Sequence, residues 1–145
     1  MKKKILVSAC LLGTPCRYDG RSKPCERVIA LKEKYDLIAV CPEVLGGLTT
    51  PRPPCELADG RVIRQDGADM SSFYKKGADL ALALAQSNNC KIAILKENSP
   101  SCSPHLHYDG TFSGTRTEGP GITAKLLSEH GILVLGEHEA EKIET

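Results

Sequence analysis

Apolar positions in this chain gather into four short, nearly continuous runs: Ile-Leu-Val-Ser-Ala at residues 5–9, Leu-Ile-Ala-Val at 37–40, Ile-Ala-Ile-Leu at 92–95 and Ile-Leu-Val-Leu at 132–135. None alternates with polar residues, and β-branched side chains dominate, which is the pattern of strands covered on both faces. The segments between them follow helical spacing. Ser22 and Pro24 mark one helix start, after which Val28, Leu31 and Tyr35 recur on one face. Residues 69–72 offer a second cap, followed by Phe73, Gly77, Leu80, Ala81 and Leu84. Ile122, Leu126 and His130 trace a third helix, with Pro120 near its first turn and Gly131 as its stop. The order strand-helix-strand, long insertion, helix-strand-helix-strand predicts parallel pairing with right-handed crossovers. The expected fold is α/β, a Rossmann-like three-layer sandwich around a mostly parallel sheet of about four strands.

Two segments are too long to be ordinary connections. Residues 42–68 are expected to form a functional loop with a small hairpin that includes Arg61-Val-Ile-Arg64 and the turn residues Asp66-Gly67. Residues 99–119 form a second loop, rich in Gly, Ser, Thr and Pro. Both follow the carboxyl end of an expected strand. No linker, low-complexity tract or repeat divides the 145 residues, so residues 1–145 read as a single α/β domain.

Composition narrows the function classes. Apolar residues at 41% and charged residues at 26% describe a globular chain and exclude disorder. Nineteen Lys and Arg against eighteen Asp and Glu leave a formal charge of +1, which gives no bulk attraction to nucleic acid. The opening Met-Lys-Lys-Lys-Ile-Leu-Val runs into a Gly-Thr-Pro turn with no small-residue cleavage site, so it reads as a first strand and not a signal peptide. The longest apolar run is too short to span a bilayer, and a cytoplasmic protein without a membrane partner is expected.

Seven cysteines change the picture. The number is odd and too small for a disulfide scaffold. Cys10 closes the first strand, Cys41 closes the second, and Cys102 sits in the turn after the third. In an open parallel sheet the carboxyl ends of neighbouring strands face one crevice. Any single strand-end cysteine can be a small buried hydrophobe, but three at corresponding positions point to a shared site. Thiolates favour zinc and iron-sulfur clusters over magnesium or calcium. No C-x-x-C occurs, which disfavours zinc ribbons, thioredoxin-type pairs and the bacterial ferredoxin run. Three dispersed thiolates also leave one coordination position open for substrate, whereas electron carriers close their clusters with four. Cys16 is a fourth candidate ligand, a resolving thiol or neither; Cys25 and Cys90 read as packing residues, and Cys55 stays ambiguous.

Candidate acid-base groups lie beside these thiols. Cys41-Pro42-Glu43 holds a carboxylate two residues past a candidate ligand, and Glu56 is a second carboxylate in the same loop. Either can equally be a solvated loop glutamate. Ser99-Pro-Ser101-Cys102 brings two hydroxyls to the third thiol, as proton donors or as turn formers. Arg17 could clamp an anionic or carbonyl group and Tyr18 could stack on a ring. His105 and His107 read as surface histidines before metal ligands. There is no phosphate-binding glycine loop and no nucleophile elbow.

These blocks in this order, Ser8-Ala-Cys-Leu-Leu-Gly13 with Arg17-Tyr-Asp-Gly20, Cys41-Pro-Glu-Val-Leu-Gly-Gly47 with Pro51-Arg-Pro-Pro54, Lys96 with Ser99-Pro-Ser-Cys102, and Tyr108-Asp-Gly-Thr-Phe112, resemble the thiouracil desulfidase family. The resemblance runs from about residue 5 to 135. It implies a 4Fe-4S cluster held by Cys10, Cys41 and Cys102, with one iron not bound by protein. It also implies non-redox removal of sulfur from a thiolated pyrimidine such as 2-thiouracil, giving uracil and hydrosulfide. In that chemistry the thiocarbonyl sulfur binds the open iron and water attacks the carbon. Glu43, with Ser99 or Ser101, assists with protons. The expected partner is a small thiolated base or nucleoside; nucleic acid is disfavoured, with thiolated tRNA left open. The rival readings are a three-cysteine zinc hydrolase and an iron-sulfur redox sensor without catalysis.

Overall fold

The structure, a computed structural model, describes residues 2–143. In chain order it contains β1 (Lys3–Ser8), α1 (Glu26–Ile29), β2 (Tyr35–Val40), α2 (Pro42–Leu45), β3 (Cys55–Ala58), β4 (Arg61–Arg64), α3 (Ser71–Ser87), β5 (Ile92–Leu95), β6 (Leu106–Tyr108), β7 (Arg116–Glu118), α4 (Ile122–Glu129) and β8 (Leu133–Gly136). Three 3-10 segments, Ala9–Leu12, Ala30–Glu33 and Glu137–Ile143, complete it.

The four apolar runs form one parallel sheet in the order β2-β1-β5-β8. Ile5, Leu6, Val7 and Ser8 are all buried, because β1 has strands on both sides and covered faces above and below. One face packs Ile5, Val7, Ile94 and Leu135 against Val28, Leu31, Ala140 and Ile143. The other packs Leu6, Val40, Ala93 and Leu95 against Ala81, Ala85, Ala124 and Leu127 of α3 and α4. These are the three layers expected of a doubly covered sheet. Among the described residues, no helix is long and apolar enough to cross a membrane.

Local structure departs from the periodic reading in three places. The first helix has one α-helical turn and then tightens to 3-10, so Tyr35 opens β2 and donates its hydroxyl to Ile143 O at 3.0 Å. In α3 the buried stripe is Tyr74, Gly77, Ala78, Ala81 and Ala85, while Phe73 and Leu80 are 39% and 41% exposed. Small residues win the inward face because the helix lies close against neighbouring backbone. In the insertion, β4 pairs with β3 through an Asp59-Gly60 turn in which both residues are left-handed, while Asp66-Gly67 makes the next turn. The Ser/Thr-rich second loop also contains a hairpin, β6 with β7.

The approach of α3 to α2 is closest at two glycines. A Cβ on Gly77 would overlap the carbonyl oxygen of Pro42, and one on Gly46 would overlap that of Phe73. Gly77→Ala is therefore expected to lower the unfolding free energy by about 2 kcal/mol, as forced overpacking does. Urea denaturation measures this, and an unchanged midpoint would contradict the close approach. Pro42 and Tyr74 flank this contact, so it also sets the position of Glu43.

Candidate functional site

Reading outward from β1, the chain crosses to β2 on one side and to β5 on the other, so strand order reverses between β1 and β5. Crevices in open α/β sheets lie at the carboxyl ends of strands beside such a reversal. Here that crevice is a cavity of about 380 Å³. Its wall includes Cys10, Cys41 and Cys102, together with Cys16 and Cys55.

Each thiol is placed by the turn that ends its strand. Cys10 lies in the 3-10 turn that continues β1, closed by Gly13 in the left-handed region at φ 102°. Cys41 is the N-cap of α2 in extended conformation, and Pro42 opens the helix where no amide donor is needed. Cys102 follows β5 in a turn organised by Ser99, whose Oγ accepts the amides of Ser101 at 3.1 Å and Cys102 at 3.0 Å. That turn docks on the start of α4, with Ser101 O accepting the Thr123 amide at 2.8 Å. Gly121 is required there, since a Cβ would overlap the Ser101 carbonyl.

The thiols sense one another. The Cys41 thiol points to Cys16 O at 3.8 Å. Hydrogen bonding to Cys16 and then burial push the Cys41 pKa upward. The Cys16 thiol is also raised, chiefly by its contact with the Cys10 side chain. Burial pushes Cys102 up to about 12, with further contributions from Glu43 and Cys41, while hydroxyls of Ser8 and Ser101 oppose the shift. Those two hydroxyls are fixed from behind. Ser8 Oγ accepts the Lys96 amide at 3.0 Å, and Ser101 Oγ shares a 2.7 Å hydrogen bond with Thr123 Oγ1. The upward shifts at Cys16, Cys41 and Cys102 favour the protonated thiols, so binding a metal through Cys41 or Cys102 must expel a proton.

Glu43 is held by a pair of donors on one oxygen. Tyr74 donates its hydroxyl to Oε2 at 2.7 Å, and Arg52 Nη2 lies 3.3 Å from the same atom. Burial and the Glu43 charge push the Tyr74 phenol far above its ordinary value, so it remains a donor. Arg52 is itself buried and donates to Cys16 O, Thr49 O and Thr50 Oγ1. Burial works against its charge, but Glu43 and the Cys41 sulfur outweigh it and the net shift is upward. Its Nε has no partner among the described residues.

Of the residues singled out in the sequence, Cys10, Cys41, Cys102, Glu43, Ser99, Arg17 and Tyr18 all line the cavity. Arg17 and Tyr18 stand at its rim: the guanidinium carbon is 6.0 Å from the Tyr18 ring centre, Arg17 pairs with Asp19 at 4.0 Å, and Tyr18 is 44% exposed. Ser101 is fully buried behind Cys102 and is not part of the wall. Glu56 lines the cavity, yet its Oε1 is occupied by the amides of Gly110 and Phe112. Cys25 and Cys90 pack in the two cores. His105 contacts Glu139, His107 contacts Tyr108 O, and neither lines the cavity. Arg52 and Tyr74, the two partners of Glu43, were not expected from the sequence. Arg52 lies within the Pro51-Arg-Pro-Pro54 block, whereas nothing local marks Tyr74 as a partner of Glu43.

Among the described residues, no three His, Cys, Asp or Glu side chains are grouped to hold a metal ion. Cys10, Cys41 and Cys102 line one cavity, and Cys16 contacts the side chains of both Cys10 and Cys41. That donor set, all soft sulfur, fits an iron-sulfur group and does not suit a hard cation such as magnesium or calcium.

Comparison with known proteins gives three matches. A family described as 2-thiouracil desulfurase matches residues 5–139. The uncharacterized protein YbbK of Bacillus subtilis (strain 168) is 40% identical over 149 residues, covering 96% of this chain and 99% of YbbK. The solved structure of a [4Fe-4S]-dependent thiouracil desulfidase, TudS, superposes with a TM-score of 0.93 at 44% identity, covering 99% of this chain and 96% of that one.

Proposed function

The chain belongs to the 2-thiouracil desulfurase family, and from that membership we propose that it is a [4Fe-4S]-dependent desulfidase which converts a thiolated pyrimidine such as 2-thiouracil and water into uracil and hydrosulfide. The observation that carries this reading is the meeting of Cys10, Cys41 and Cys102, from three strand ends, in one cavity with Glu43. Cys10, Cys41 and Cys102 would hold the cluster and would leave one iron without a protein ligand. Held in this way, the cluster supplies Lewis acidity toward a soft donor, which favours a thiocarbonyl sulfur over a carbonyl oxygen.

The remaining work belongs to the chain. Ser8 and Ser101 donate to the Cys102 sulfur and stabilise its thiolate, each oriented by a second partner. Tyr74 and Arg52 both engage Oε2, and Glu43 lines the cavity, which supports Oε1 as the oxygen that receives a water molecule. Glu43 takes the proton as that water adds to the thiocarbonyl carbon. The new C–O bond replaces the C–S bond as the proton held by Glu43 passes to the sulfur, which departs as hydrosulfide, and the remaining hydroxyl proton is released to solvent. Ser99 accepts two amides on its oxygen, so its own hydroxyl hydrogen is free for the substrate. These accepted amides support Ser99 as the serine that transfers a proton, and the bond to Thr123 supports Ser101 as a residue behind the Cys102 ligand.

The likeness to a [4Fe-4S]-dependent desulfidase at 44% identity supports a cluster over a single zinc. A sensor would need no enclosed space, whereas this cavity of about 380 Å³ is of ligand-pocket size. Incubating cluster-loaded protein with 2-thiouracil under argon tests the reading. Equal amounts of uracil and hydrosulfide are expected, and loaded protein that releases neither from any thiopyrimidine would refute it.

A further inference from the structure

Glu56 is a buried carboxylate that the reaction above does not use. Its Oε1 accepts two backbone amides two residues apart, from Gly110 at 3.0 Å and Phe112 at 3.1 Å. Charge-assisted bonds of this kind are strong, and a buried carboxylate is costly unless it is so engaged. Both amides belong to the tip of the hairpin joining β6 to β7, which Glu56 ties down onto β3. The fit is tight: Gly110 has φ 96°, and a Cβ there would meet Ala58 Cβ at 2.5 Å. Within this tip Phe112 adopts a left-handed backbone at φ 56°, a conformation that bulky residues avoid unless their surroundings impose it. The imposed conformation sets Phe112 in the wall of the cavity that holds Cys10, Cys41, Cys102 and Glu43. Tyr18, the ring expected from the sequence to stack, stands at the exposed rim with a guanidinium near it.

We propose that Phe112 is the platform on which the substrate's ring stacks, with Glu56 as the positioning residue that holds it there. The site then selects planar aromatic thiocarbonyl heterocycles over puckered or acyclic thioureas. This deepens the desulfidase reading and rests on it for the identity of the reaction. A flat π-face against a phenyl ring gains attraction that a saturated, puckered ring loses.

The experiment compares 2-thiouracil with 5,6-dihydro-2-thiouracil as substrates of wild type, Phe112→Ala, Phe112→Tyr and Glu56→Ala. Iron and sulfide content are assayed alongside, and uracil binding is followed by saturation-transfer NMR. Phe112→Ala is expected to raise KM for 2-thiouracil about tenfold, the scale of one lost base-aromatic stack, with kcat and cluster content little changed. It should also erase the preference for the planar ring. Phe112→Tyr should restore both, and Glu56→Ala should move KM in the same direction as Phe112→Ala. Unchanged KM and preference in Phe112→Ala would overturn the proposal, as would wild type that uses both substrates equally. If wild type turns over neither compound, the desulfidase reading fails. The platform then survives only if uracil binding is seen in wild type and lost in Phe112→Ala; no uracil binding at all would sink it too.

Discussion

Cys10→Ser, Cys41→Ser and Cys102→Ser are each expected to yield folded protein that no longer assembles the cluster, whereas Cys25→Ser and Cys90→Ser assemble it normally. A serine hydroxyl is a hard donor that ionises far less readily than a thiol, so one replacement leaves an iron without a competent ligand. The controls are chosen by position. Cys25 and Cys90 pack in opposite faces of the sandwich and do not line the cavity. Broad visible absorbance after anaerobic reconstitution reads the result, and circular dichroism reports whether the variants fold. Burial pushes Cys102 up to about 12. Removing that thiol therefore relieves the metal-free protein of a group that resists ionisation, and metal-free Cys102→Ser should lose less stability at alkaline pH than metal-free wild type. The sign follows from linkage: a raised folded-state pKa contributes stability that is fully present below the ordinary thiol range and is lost as pH climbs toward 12.

Glu43→Gln is expected to keep the cluster and lose turnover by about a hundredfold or more, the usual worth of a positioned general base. The amide keeps the shape of the carboxylate and can still accept from Tyr74, so the cavity wall persists while the proton acceptor disappears. Quantified hydrosulfide release, normalised to iron content, measures the effect. Full activity in this variant would remove Glu43 from the reaction. The ion pair with Arg52 makes the control demanding, because Arg52 also donates to Cys16 O and to the Thr49–Thr50 backbone and hydroxyl. Iron content must match wild type before a rate is assigned to the base.

The sheet was readable from the chain because its strands are short, apolar and non-alternating, a pattern that burial on both faces imposes. The convergence of Cys10, Cys41 and Cys102 followed from topology alone, since parallel strands must bring their carboxyl ends to one side. Other features carry no such local mark. The inward face of α3 keeps the expected Gly77 and Ala81 but takes Tyr74, Ala78 and Ala85 in place of Phe73, Leu80 and Leu84, because small residues carry little hydrophobic signal, although Gly77 is what allows Pro42 to come close. The β6–β7 hairpin escaped notice because all three residues of β7 are exposed and none is strongly apolar. The bond from Tyr74 to Glu43 spans 31 positions and exists only after α3 has packed on α2. Glu56 is not the solvated loop glutamate that was one of its two readings: it is buried in β3 and ties down a loop by way of that loop's amides.

Iron and acid-labile sulfide, assayed per chain on protein purified without oxygen, test most directly whether dispersed thiolates gather around one inorganic centre. About four of each are expected, with a brown colour that air bleaches. A colourless protein that carries zinc, or one that takes up no iron even after reconstitution with iron and sulfide, would contradict the assignment of Cys10, Cys41 and Cys102.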